Sequence, residues 1–374
     1  MTLEDFHAII PAGGVGTRLW PLSRKAKPKF LYDLVGSGQT LMQSTYNRLV
    51  PLCGADHIYV STGEQHVKPI CEQLPQLDLS AIFPEPSPRD STAAIALAAA
   101  VVARRFGERS VVGSFAADHV IRNNTAFAES VRQAVVTARA GYITTIGIAA
   151  SRPSTAFGYI HEGRSLASEI PDAPSAHLVE SFVEKPDAQT AQGYLETGEY
   201  RWNAGIFIMR ADVLLDNLRQ TKPDIYKAIQ AIAQAWDQGE EQRAQAMGRW
   251  WNGIEKIAFD YSVAEPVAAK SGVAVIPGGF GWDDVGDFNS VAALLPSSNR
   301  QNIKVLGDSD NLVYLDSAGD VVAPQSGRTI ALLGVDDLIV IDTPDALLVA
   351  PRARSQEVKD MVAYLAKSGH HDIL

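Results

Sequence analysis

Short apolar runs alternate with helical stretches over residues 7–149. HAIIPA at 7–12 and HIYVST at 57–62 read as strands, and VVGSFAADHVI at 111–121 begins as a buried strand and ends polar. Between them, STAAIALAAAVVARRF at 91–106 reads as an alanine-rich helix with Asp90 or Ser91 as its N-cap. ITTIGIA at 143–149 resumes the strand pattern. Strands separated by helices predict an α/β fold, a Rossmann-like, mixed and mostly parallel sheet flanked by helices. Such sheets bind ligands at the carboxyl ends of their strands, where the glycine turn at 13–16 and Asp118 both fall. The pattern changes near residue 296. PSSNRQN reads as a linker, followed by the short β segments LVYLD, TIALLG, LIVIDT and ALLVAP and a helix from Ser355 to Lys367. The expected division is a large domain at 1–296 and a small β-rich domain at 303–374 with no chemistry of its own in view.

Charge changes this picture at one place. The 374-residue chain has a formal net charge of −10, yet residues 7–30 contain no Asp or Glu. Behind the glycine turn stand Arg18, Arg24, Lys25, Lys27 and Lys29. Glycines let the backbone approach a ligand with its N–H groups free for phosphate oxygens. An anion is the expected partner. The turn is neither a Walker A loop, since GxxxxGK[ST] is absent, nor a full dinucleotide fingerprint, since Leu19 replaces the third glycine.

The acidic balance argues against a general nucleic-acid binder. No apolar run reaches the roughly 18 residues of a membrane span. MTLEDFHAII lacks a basic n-region, so no signal peptide is expected. Cys53 and Cys71, the two cysteines, lack CxxC spacing and read as free thiols of a cytoplasmic protein.

PAGGVGTRLWPLS followed by PKF resembles the signature of the sugar-nucleotide pyrophosphorylases, in the variant of the mannose-1-phosphate guanylyltransferases. EPSPRDSTAAIA at 85–96 is similar to that family's base-recognition segment, FAADHVI to its metal-aspartate strand end, and FVEKP at 182–186 to its sugar-phosphate lysine motif. WNAGIFI at 202–208 and GWDDVGDF at 281–288 complete the order. The resemblance implies a nucleotidyltransferase (GT-A-like) domain at 1–296. It also implies transfer of GMP from GTP to mannose 1-phosphate, giving GDP-mannose and pyrophosphate.

Two polyanions must meet in that reaction, which calls for cations and positioning. The resemblance assigns the nucleotide to Ala12, Gly13, Gly14, Gly16, Thr17, Arg18, Lys29, Arg89, Asp90, Thr92 and Asp118, with Arg18, Lys29 and Asp118 catalytic. Arg18 offers a fork for the triphosphate and Lys29 a point charge near the α-phosphate. Mg²⁺ is expected on Asp118 and Asp284, because magnesium favours one or two carboxylates plus substrate phosphates. Asp284 is preferred to Asp283 because the family's carboxylate directly precedes a hydrophobic-Gly pair. The sugar phosphate falls to Gly158, Glu184, Lys185, Asn203 and Asp284. Trp202 reads equally as core or as a sugar platform, and His119 as a structural hydrogen-bonder.

Departures from the family pattern make the base less certain than the reaction and leave the role of the loop lysine intact. Asp90 replaces an Asn, Ala94 stands near a usual Pro, and Phe30 follows Lys29 where the family has Gln. A guanylyltransferase for another sugar phosphate such as a heptose, a uridylyl- or thymidylyltransferase, and a non-catalytic nucleotide-sugar-binding subunit are the alternatives. With 303–374 left after the linker, no fused phosphomannose isomerase domain is expected. Dimerisation, giving a homodimer, and closure over the sugar site are the two roles open to the tail.

Overall fold

The structure is a computed structural model that describes residues 3–296 and 299–374. Ser297 and Ser298 of the expected linker, and Met1 and Thr2 of the stretch read against a signal peptide, lie outside the described residues. The chain packs as two compact bodies.

The first body comprises the chain up to Gly13, Thr45–Ala117 and Ile121–Trp282. Its centre is a nine-stranded sheet in the order Ile82–Glu85, Ile58–Gly63, Phe6–Ala12, Val111–Ser114, Tyr200–Arg210, Ile143–Ala149, Val273–Gly278, His177–Val183, Tyr159–Ser165. The first four strands are parallel, with Ala8 beside Ile58, Phe6 beside Val111 and Val60 beside Ile82. Tyr200–Arg210 then runs antiparallel to both of its neighbours. Tyr159–Ser165 pairs with His177–Val183 and also with Tyr200–Arg210, so this end of the sheet curls back on itself. The sheet is mixed.

Strand Phe6–Ala12 is buried at every residue except Pro11, as a parallel strand covered on both faces should be. The alanine-rich segment forms the helix Asp90–Phe106, buried from Thr92 through Ala103. A helix apolar all round sits inside a protein, and this one packs against the helices Ala211–Thr221 and Pro223–Ala235. It stops at Gly107, whose φ of 110° no ordinary residue adopts comfortably. The expected caps are corrected. Arg89 occupies the N-cap without a side-chain bond, and the Ser91 hydroxyl instead accepts from the Phe259 amide at 2.9 Å.

The second body comprises Gly14–Ser44, Asp118–Val120 and Asp283–Leu374. The segment behind the glycine turn therefore packs with the C-terminal strands. Leu19, Trp20, Leu22, Leu34 and Leu41 share one apolar cluster with Phe288, Ala323, Ile339, Ile341 and Val358. The C-terminal strands coil in parallel, apart from Leu347–Pro351, which runs antiparallel to Leu338–Asp342. Leu312 lies beside Ile330 and Val321 beside Ile339, and the Leu338 amide donates to Asp320 Oδ1 over the same separation of 18 residues. Alternate positions serve two cores: Val322 and Val340 face inward with Ile303, Ile330 and Leu332, while Ala323, Ile339 and Ile341 meet the leucines and tryptophan of the N-terminal segment. The expected last helix begins as a 3₁₀ turn, Arg352–Glu357, and becomes α-helical over Val358–Lys367.

Candidate functional site

The second body gathers the phosphate-side candidates. Gly16 is forced to be glycine twice over. Its φ is 77°, and a Cβ there would lie 2.7 Å from Lys29 Cβ. The Lys29 amide donates to the Val15 carbonyl at 3.2 Å, and the Ser23 hydroxyl donates to the Gly16 carbonyl. These contacts fold the turn onto the 3₁₀ segment Lys29–Leu31. Lys29 is only 5% exposed. Its Nζ donates to Asp118 Oδ2 at 2.7 Å and to the Asp284 carbonyl. One ammonium thus ties together positions 29, 118 and 284. An ammonium has three N–H donors, and these two bonds leave one for a ligand.

The two carboxylates respond differently. Burial works against charge on Asp118, but Lys29 and then His119 outweigh it and hold its carboxyl below the usual range. Asp284 is pushed above that range. Burial dominates there, Asp283 adds to it, and Lys29, His119 and Arg18 only partly offset them. A buried carboxylate with uncompensated charge is relieved by a cation. Among the described residues no group of three or more His, Cys, Asp or Glu is placed to hold a metal ion. A divalent cation here would therefore rely on one or two carboxylates and substrate phosphates. Asp283 has a different task, since its Oδ1 accepts from the Val285 amide at 2.7 Å and pins the turn. Asp287 caps the helix that follows, accepting from the Ser290 amide at 2.9 Å.

Arg18 Nη1 donates to Gln356 Oε1 at 2.8 Å. Arg24 is committed structurally, to Asp345 at 2.9 Å and to the Ile373 carbonyl. The Lys27 ammonium sits 4.2 Å from the centre of the Tyr32 ring. The loop backbone is open at Gly14, and Thr17 is exposed.

The first body carries the other candidates. Ala12 is buried at the end of its strand, its carbonyl accepting from Thr62 Oγ1 at 2.8 Å, and Gly13 beyond it is open. Gly158 has a steric reason, because a Cβ would meet Glu184 Oε2 at 2.4 Å. Its carbonyl also accepts from the Asn203 amide at 2.8 Å. Glu184 Oε1 lies 2.8 Å from Lys185 Nζ, and the Glu184 side chain is 7% exposed against 52% for the lysine. Burial opposes charge on Lys185, but the bond to Glu184 and its negative charge raise the ammonium above its ordinary value. Asn203 Oδ1 accepts from Thr145 Oγ1 at 2.8 Å and the Gly205 amide at 3.1 Å, while Nδ2 donates to Asp260 Oδ1 at 2.8 Å. Its second amide N–H remains for a ligand hydroxyl.

At the base-side segment, Arg89 donates to the Ile254 carbonyl and to Asn252 Oδ1, each at 3.2 Å. Asp90 is exposed at φ 65° and its Oδ1 accepts from the Ser91 amide at 2.8 Å. Thr92 stands apart from the expectation of a ligand contact. It is fully buried, its hydroxyl shares a 2.7 Å bond with Ser262, and its amide donates to the Ile257 carbonyl at 3.4 Å. Trp202 is core, packed with Tyr159 and Ala191.

Asp260 was not foreseen. It opens a π-helical turn, and its carboxyl is pushed up to about 7, chiefly by burial and then by the charge of Glu184. The available signal is a lone aspartate between Phe259 and Tyr261 in an otherwise apolar run.

Residues 7–299 match the Nucleotidyl transferase family and residues 310–365 the MannoseP isomerase/GMP-like beta-helix domain. The xanthan biosynthesis protein XanB of Xanthomonas campestris pv. campestris (strain B100) is 36% identical, over 99% of this chain and 75% of that protein. The mannose-1-phosphate guanylyltransferase of Escherichia coli (strain K12) is 35% identical, over 100% of this chain and 76% of its own. Among solved structures, a Thermus thermophilus protein described as a mannose-1-phosphate geranyltransferase superposes with a TM-score of 0.81 at 29% identity, covering 97% of this chain and 99% of that one. With the fold, the ordered motifs and these full-length matches in agreement, the chain belongs to the nucleotidyl transferase family and is a nucleotidyltransferase.

Proposed function

We propose that this nucleotidyltransferase transfers GMP from GTP to mannose 1-phosphate, releasing pyrophosphate. The observation that carries the reading is the Lys29 ammonium bonded to both Asp118 and the Asp284 carbonyl. It assembles the two acidic segments and a phosphate-side cation from distant parts of the chain. The relatives named mannose-1-phosphate guanylyltransferase supply the choice of substrates.

A phosphate oxygen of the sugar phosphate attacks the α-phosphorus of GTP. The new P–O bond forms as the bond to the β-phosphate oxygen breaks, and pyrophosphate leaves with the electron pair. Arg18 grips the triphosphate with a planar fork, and the open backbone of Gly13 and Gly14 lets phosphate oxygens approach. Lys29 orients the Asp118 carboxylate, holds the Asp284 backbone and offers its remaining N–H. Lys185 meets the sugar's phosphate, and Glu184 and Asn203 accept and donate to hydroxyls of the ring. Arg89 and Asp90 face the base. Asp118 and Asp284 would hold Mg²⁺, which when bound neutralises phosphate charge as the leaving group departs.

No described helix is long and apolar enough to cross a membrane. We read the enzyme as cytoplasmic, and a homodimer stays the expectation for its assembly. The test is a pyrophosphate-release assay crossing GTP, UTP, dTTP and ATP with mannose, glucose and heptose 1-phosphates. Fastest turnover is expected for GTP with mannose 1-phosphate. A faster reaction with another pair, or no turnover with any, overturns the reading.

A further inference from the structure

One C-terminal side chain bonds directly to the candidate triphosphate residue Arg18. Gln356, from the turn Arg352–Glu357, accepts from Arg18 Nη1 at 2.8 Å through Oε1. Its Nε2 donates to Asp287 Oδ2. The orientation of the amide is dictated by its partners, since a guanidinium can only donate and a carboxylate only accept. Asp287 is itself fixed. It is 5% exposed, its Oδ1 caps the helix Phe288–Leu294 through the Ser290 amide, and its Oδ2 also accepts from Ser355 Oγ at 2.9 Å. Asp287 lies three residues beyond Asp284, so one short stretch holds both a metal-carboxylate candidate and the anchor for Arg18.

We propose that Gln356 is a positioning residue for nucleotide transfer, holding the Arg18 fork in its triphosphate-binding orientation from a fixed anchor on Asp287. The inference rests on Arg18 being the triphosphate residue. Two physical points carry it. Arg18 lies on the three-residue 3₁₀ turn Thr17–Leu19, next to the exposed Thr17 and a few residues beyond Gly14, which has open space around it. A long side chain there loses rotamer freedom on binding unless something holds it beforehand, and pre-organisation removes that cost from the binding step. The holder is also neutral. A carboxylate at position 356 would lose the bond to Asp287 and would compensate the charge the triphosphate needs, whereas the amide keeps its anchor, orients Arg18 through its oxygen and leaves the charge available. The coil thus contributes to the chemistry of the phosphate side as well as to its packing.

The test is steady-state kinetics on the full chain for Gln356→Ala, Gln356→Glu, Arg18→Ala and the Gln356→Ala/Arg18→Ala double variant, with melting temperatures. Gln356 is exposed, so all four are expected to fold with melting temperatures near that of the parent. Gln356→Ala should lower kcat/KM for GTP by about tenfold, the lower range for a charge-assisted bond. It should leave KM for mannose 1-phosphate unchanged. In the Arg18→Ala background the same change should add nothing. Gln356→Glu, although it keeps an acceptor, should weaken GTP use at least as much as alanine. The inference is overturned if Arg18→Ala impairs GTP use and Gln356→Ala does not, if the two effects multiply, or if Gln356→Glu behaves like the parent. If Arg18→Ala itself leaves GTP use unchanged, the reading of Arg18 fails and the positioning role falls with it.

Discussion

The two bodies use a lysine in opposite ways. Lys29 is nearly sealed from solvent and bonded to groups 89 and 255 positions away. Lys185 is half-exposed and bonded to its own neighbour Glu184. The first lysine is part of the scaffold of its site, so removing it disturbs the Asp118 carboxylate and the Asp284 backbone as well as any phosphate. The second is a side chain whose partner survives its loss in place, because Glu184 is held by the shape of Gly158 and by its own backbone bond to Glu265 Oε1 at 3.0 Å. A motif lysine can thus be structural and chemical together, or chemical alone.

The sharpest challenge to this contrast lies at the acidic pair. Asp118→Asn and Asp284→Asn should each reduce turnover by at least about a thousandfold while the protein remains folded, because two carboxylates are assigned to the metal. Asp283→Asn should lose far less, since its Oδ1 accepts from the Val285 amide and pins the turn. The reverse ranking of Asp283 and Asp284 in a turnover assay would show that the metal carboxylate is Asp283.

Next come the lysines themselves. Lys29→Met should depress kcat by roughly a hundredfold or more and also lower the melting temperature. Breaking a buried pair costs about 3–5 kcal/mol, and the low end applies since the Asp118 side chain stays 30% exposed. Lys185→Ala should chiefly raise KM for mannose 1-phosphate, by roughly tenfold to a hundredfold, and leave KM for GTP and the melting temperature near their parent values. If Lys185→Ala weakens GTP and spares the sugar phosphate, the two lysines serve the opposite substrates.

A smaller effect is expected from Gly158→Ala. The added methyl would stand 2.4 Å from Glu184 Oε2, so the carboxylate must move. KM for mannose 1-phosphate should rise by about tenfold, on the order of one charge-assisted bond. Unchanged kinetics in a folded variant would remove Glu184 from the sugar side.

The smallest effect is a pH dependence. The Asp260 carboxyl is raised from 3.8 to about 7 in the fold. Between those values the folded chain holds a proton that the unfolded chain has released. This contribution to stability is therefore present at low pH and lost as pH rises through about 7. Asp260→Asn, neutral at every pH, should melt higher than the parent at pH 8 by a few degrees, with the gain shrinking as pH falls and vanishing only near pH 4. Parallel melting curves for the two proteins across pH 5–8 would refute the shift.

Much of this was legible in the sequence because it depends on local pattern. The buried strand at Phe6–Ala12 and the helix Asp90–Phe106 follow from continuous apolar composition. Four of the C-terminal strands were legible individually, but Val321–Pro324, Lys304–Val305 and the coil they join were not. Its period of 18 shows in the registers of Leu312 with Ile330 and Val321 with Ile339, where only the inward positions recur and the residues themselves vary. Asp260 escaped for a related reason. An isolated aspartate carries no signal until Asn203 and Glu184 are seen beside it.

The sequence alone determined which chemical groups the chain possesses, the order of its motifs, and the strands and helices that short-range periodicity imposes. It marked Gly16, Arg18, Lys29, Asp118, Lys185 and Asp284 as groups suited to phosphate, metal and sugar. Tertiary structure decided what those groups touch: that Lys29 spends two of its bonds on Asp118 and Asp284, that Thr92 is turned into the core against Ser262, and that Arg18 rests on Gln356, 338 positions away. The physical reason is that periodicity records which face of an element is buried, whereas pairing between distant side chains depends on how the elements pack, which no local stretch of sequence encodes.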